Sequence, residues 1–83
     1  MKTFHLQLLK GSFTKEEALQ ILTKLLAAKI NYHEDKIHLT DNEEDIKMRE
    51  VRIKQLQKEF FEARMYIEKQ KGRVELNSEV LIG

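Results

Sequence analysis

The chain has 83 residues, enough for one domain and too few to bury a large core without help from a staple or a partner. It has no cysteine, which excludes disulfides and thiolate zinc sites. Fifteen Lys and Arg against fourteen Asp and Glu leave a net charge of +1, so no global field draws in nucleic acid or an anionic membrane. Self-association is the leading candidate for that help, and a homo-oligomer, dimer or higher, is expected.

Residues 3–9, TFHLQLL, alternate Phe4, Leu6 and Leu8 against Thr3, His5 and Gln7. This is the period of a half-buried strand, with Leu9 breaking it and Gly11 read as a sharp change of direction. The segment carries one Lys and polar interruptions, with no small-residue cleavage site after it, so it does not read as a signal peptide. No apolar run approaches the length of a membrane span. A cytoplasmic protein is expected.

Thr14 and Glu17 have the spacing of a capping box, and Phe13 stands where a residue staples onto the first turn at Ala18. Ala18, Ile21, Leu22, Leu25, Leu26 and Ile30 then recur at helical spacing. Residues 30–39 fit either a helix or a hairpin turning at Glu34, Asp35 and Lys36. The lack of a turn glycine favours a helix over 15–36. Thr40 with Glu43, or Asp41 with Glu44, offers a second capping box.

Residues 43–71 contain no Gly or Pro and are rich in good helix formers. Ile46, Ile53, Phe60 and Ile67 recur every seven residues, with Arg49, Leu56 and Ala63 between them. Acidic residues open this helix, Lys69 and Lys71 close it, and Gly72 suits its stop. Residues 73–82 alternate again through Val74, Leu76, Val80 and Ile82, with a bulge or bend expected near Asn77 and Ser78.

The expected fold is a single α+β domain over 1–83, in the order strand-helix-helix-strand. A long antiparallel helical hairpin brings the terminal strands together to pair antiparallel.

Four groups of residues invite a chemical reading. His33, Asp35 and His38 are metal-ligand types, but His33 and His38 are five apart and face different ways on a helix. No metal or other cofactor is expected. Lys47, Lys54 and Lys58, with Arg49 and Arg52 beside them, form a basic face of the kind that tracks phosphates. Asp45–Arg49, Glu50–Lys54 and Lys58–Glu62 have ion-pair spacing, however, and no aromatic residue is interleaved to stack a base.

The opening strand and two helices resemble ribbon-helix-helix repressors, which would place Thr3, His5 and Gln7 against base edges. The second helix is too long for that family and a strand follows it. Phe60, Phe61, Met65 and Tyr66 widen the apolar surface of the second helix beyond what one partner helix covers, and mark a candidate interface.

No glycine-rich phosphate loop and no nucleophile with a base beside it is legible, and no small-molecule substrate suggests itself. The function expected is a non-enzymatic, self-associating interaction or scaffold module. The alternative is a small nucleic-acid-binding regulator working through Lys47, Lys54 and Lys58.

Overall fold

The structure, a computed structural model, describes residues 2–83. Strand β1 spans Phe4–Phe13, helix α1 Lys15–Leu39, helix α2 Glu43–Glu68 and strand β2 Val74–Ile82. The two helices form an antiparallel hairpin, and β1 and β2 pair antiparallel as a two-stranded ribbon at its open end. The strand-helix-helix-strand order and the pairing of the terminal strands are as expected.

Each helix begins at a side-chain cap. Thr14 Oγ1 accepts the Glu17 backbone N–H at 3.1 Å, and the Glu17 carboxylate accepts the Thr14 N–H at 3.0 Å, completing the capping box. Those bonds from Thr14, backbone first and hydroxyl second, hold the Glu17 carboxyl below its usual pKa. Phe13 packs onto Ala18 at the same corner.

α1 continues through the ambiguous stretch to Leu39, three residues past the expected end. The second cap is Asn42, not Thr40 or Asp41. Its Oδ1 accepts from the backbone N–H groups of Glu44 and Asp45 at 3.0 and 3.2 Å, satisfying two of the unpaired donors of the first turn. Thr40 Oγ1 instead accepts the Asn42 N–H within the loop. α2 stops at Glu68, short of the expected 71, and Gly72 turns the chain toward β2 at φ 83°.

β1 runs on to Phe13, well past the expected end at Leu9. Gly11 is an ordinary strand position opposite Leu76, not a turn. The irregularity expected near Asn77 and Ser78 lies across from them. Pairing passes from Gln7↔Glu79 to Leu9↔Ser78, so Leu8 is the extra residue. Gln7 Nε2 ties this bulge, donating to Asn77 Oδ1 at 2.8 Å, Leu9 O at 2.9 Å and Ser78 O at 3.0 Å.

The bulge matters for packing because it resets the side-chain alternation of β1. Phe4, Leu6, Leu9, Gly11 and Phe13 now share one face with Ile82, Val80, Ser78, Leu76 and Val74. His5, Gln7, Lys10 and Ser12 share the other face with Leu81, Glu79, Asn77 and Glu75. The ribbon is therefore amphipathic along its whole length.

The helices meet only the base of that apolar face. Ala18, Ile67 and Val74 are the buried hydrophobic residues, with Phe13, Leu19, Leu22 and Leu76 packed against them. Two polar ties close the same corner. Lys15 Nζ donates to Glu68 O at 3.1 Å, and Arg73 donates to Ser12 O and Oγ at 2.8 and 3.0 Å. The described residues together form a thin body of 47 × 36 × 15 Å. Its radius of gyration is 15.6 Å, against about 12 Å for a compact domain of this length.

Candidate interaction surface

The outer half of the ribbon carries a row of uncovered apolar side chains. Phe4 and Ile82 stand opposite one another, 64% and 51% exposed, and the next pair on that face, Leu6 and Val80, is also exposed. At the base of the same face Val74 is 8% exposed. One continuous row of side chains thus begins inside the protein and ends in solvent. Its other face is satisfied by cross-strand bonds: His5 Nδ1 meets Glu79 Oε1 at 2.6 Å, and Gln7 meets Asn77. His5 and Gln7, the residues placed to read base edges in a repressor-like ribbon, are engaged within the ribbon itself.

The hairpin supplies a second apolar area. Phe60 turns inward and lines a groove of about 290 Å³ with Leu22, Leu25, Leu26, Leu56 and Ala63. Leu22 also packs against the ribbon's base, which links this groove to the apolar ribbon face. Phe61, Met65 and Tyr66 are exposed, as a flank to the main stripe requires. The four residues do not act as one patch, because Phe60 is drawn between the helices while the others stay outside. The outer ribbon residues Phe4, Leu6, Val80 and Ile82 were not singled out from sequence. Their alternation marked the face, but nothing local marked where the helices stop covering it.

Near the hairpin's closed end a wider groove of about 690 Å³ is lined by His33, Asp45, Met48, Arg49, Val51 and Arg52, among others. Its polar residues hold one another. Arg49 Nε donates to Asp45 Oδ2 at 3.2 Å, and Arg49 Nη1 donates to His33 Nδ1 at 3.2 Å. A guanidinium only donates, so Nδ1 accepts and the ring hydrogen sits on Nε2, which is buried without a partner. Desolvation, then the charges of Arg49, Lys29 and Arg52, push the His33 pKa below its ordinary value.

The Tyr32 ring lies edge-on to His33, and both Lys36 and Arg49 sit 5.8 Å from its centroid. His33 is thereby committed to α2, while Asp35 and His38 are exposed. Among the described residues no group of three or more His, Asp or Glu is placed to hold a metal ion.

The basic face is less neutralised than its spacing suggested. Asp45–Arg49 forms, and so does Arg64–Glu68 at 3.1 Å, one helical turn apart near the end of α2. Glu50–Lys54 and Lys58–Glu62 do not form, and among the described residues Lys47, Lys54 and Lys58 have no carboxylate partner. Arg49 turns inward, while Arg52 stays exposed and donates to Gln55.

Among the described residues no helix is long and apolar enough to cross a membrane. No protein-family model, no curated protein and no solved structure matches the chain. The surface chemistry alone therefore supports a functional reading.

Proposed function

We propose that the chain is a non-enzymatic, self-associating interaction or scaffold module whose working form is a dimer or higher homo-oligomer. The observation that carries this reading is surface area. The chain exposes 7030 Å², where a compact monomer of its mass exposes about 5,200 Å². The excess, roughly 1,800 Å² per chain, matches one side of the large apolar interfaces of obligate homodimers.

Three buried hydrophobic residues among those described are too few to offset the ordering of some eighty. A second copy supplies the missing burial with surface of the same chemistry. The non-enzymatic part of the reading is supported by the groove at the hairpin's closed end, whose His33, Arg49 and Asp45 are bonded to one another. Sedimentation analysis at micromolar concentration tests the proposal. A mass of two chains or more is expected, and a cooperatively folded monomer overturns it.

A second reading rests on a separate observation. Lys47, Lys54 and Lys58 are exposed, unpaired and aligned along α2, so they suit a phosphate backbone. The near-neutral net charge argues against it. It requires salt-sensitive binding to DNA or RNA that is lost when the three lysines are changed together to Glu.

A further inference from the structure

We propose that the second copy joins through the free edge of β2, giving a four-stranded sheet in the order β1-β2-β2-β1 about a two-fold axis at Ser78. This inference rests on the self-association reading and specifies its geometry.

A two-stranded ribbon has two open edges, and here they differ. β1 is interrupted by the Leu8 bulge and carries Lys10 and Gly11, features that blunt an edge against pairing. β2 runs VELNSEVLI over nine residues with no Pro, Gly, Lys or Arg and no bulge. It is the edge left fit to accept a strand. Pairing β2 to β2 also closes on itself, whereas pairing β2 to β1 would leave a fresh edge at each end and propagate.

Register follows from the faces. Val74, Leu76, Ser78, Val80 and Ile82 point to the apolar side. Only registers that set these positions against one another keep that side continuous, since a one-residue slip exchanges the faces. Full overlap of the nine residues puts Ser78 opposite the partner's Ser78. Val80 then stands beside the partner's Leu76, and Ile82 beside the partner's Val74. The uncovered outer end of each ribbon is thereby laid next to the base of the other, on the side where Ala18 and Ile67 are packed.

The polar side tolerates the same register. Glu79 meets the partner's Asn77 and Glu75 meets the partner's Leu81, so no carboxylate directly faces another. His5 holds Glu79 from β1 within each copy.

The chain has no native cysteine, so single substitutions report this contact cleanly. Directly opposed residues in antiparallel strands have Cα atoms about 4.5 or 5.5 Å apart depending on pair type, and both fit a disulfide. Ser78→Cys samples the axis. A mixture of Asn77→Cys and Glu79→Cys chains samples the alternate pair type. Under mild oxidation of the full-length protein at micromolar concentration, at least one of these is expected to yield a disulfide-linked species at twice the chain mass, with sedimentation unchanged. A dimer in which both stay reduced overturns edge pairing while leaving self-association through another face intact. A folded monomer overturns both.

Discussion

Phe4 stands opposite Ile82 at one end of the ribbon's apolar face, and Phe13 stands opposite Val74 at the other. The second pair rests on Ala18 and Ile67, while the first has nothing over it. A face made of one alternating row gains little from a ribbon alone, since two strands without a cover are marginal in water. The outer end is therefore where a second chain adds most. Val80→Lys places a charge in that row toward the exposed end of the ribbon. It is expected to weaken self-association at least tenfold in concentration, since a lysine charge would have to be desolvated there without a partner. Lys10→Glu, on the polar side of β1 and away from the β2 edge, is expected to change it far less. Comparative sedimentation of the two variants checks this.

The corner that orients the ribbon depends on the capping box. Thr14→Ala removes the acceptor for the Glu17 N–H and is expected to cost about 1 kcal/mol of stability, with Thr14→Ser restoring most of it. Because Glu17 has a lowered pKa in the folded state, its contribution is present above the carboxylate range and lost as pH falls through it. Denaturant titrations at pH 7 and pH 4 should show the gap between wild type and Thr14→Ala narrowing at the lower pH.

The two internal glycines are expected to behave oppositely. Gly72 sits at φ 83°, where a side chain is strained, so Gly72→Ala should destabilise by roughly 1–2 kcal/mol. Gly11 lies in the strand, and an added Cβ would meet the Phe13 ring at 3.5 Å, ordinary contact. Gly11→Ala should be neutral or stabilising by about 0.4–1 kcal/mol through the unfolded chain. Urea unfolding of both variants at one protein concentration separates them.

His33 makes stability depend on pH in the same direction as Glu17 but at higher pH. Its pKa is lowered in the folded state, so the unfolded chain takes up the proton first as pH falls. The stability it contributes is full above the ordinary value of 6.5 and declines as pH drops below it. His33→Leu also removes the unpartnered buried Nε2 donor. The variant is expected to unfold with a flatter pH dependence than wild type between pH 7.5 and 5.5, and to lose no stability relative to wild type at the acid end. Thermal melts across that range provide the check.

The element order was legible because each signal was local and redundant. Alternation marked both strands, the Thr14–Glu17 pair marked the first helix start, and a heptad stripe marked α2. The failures came where a residue's meaning depends on its partner. Gly11 reads as a turn until Leu76 is found opposite it. The bulge was assigned to β2 because Ser78 gaps the row there, yet the extra residue is Leu8 on β1. Four-residue spacing permits Glu50–Lys54 and Lys58–Glu62 but does not enforce them, because long exposed side chains lose rotamer entropy on pairing. Spacing along α2 marks the Asp45–Arg49 pair, which forms, but the second partner of Arg49, His33, comes from the other helix and has no local signal. The candidate interface was legible only in part. Phe61, Met65 and Tyr66 do lie on the surface, whereas the bare ribbon end depends on how far the helices reach beneath it.

The central claim is that folding and self-association are one process. Thermal unfolding followed by circular dichroism over a hundredfold range of protein concentration tests it most directly. An obligate oligomer becomes more stable as concentration rises, by mass action. The midpoint is expected to climb steadily across that range, and the sedimenting mass to fall only where helix content falls. A midpoint independent of concentration, in a protein that sediments as a single folded chain, would contradict it.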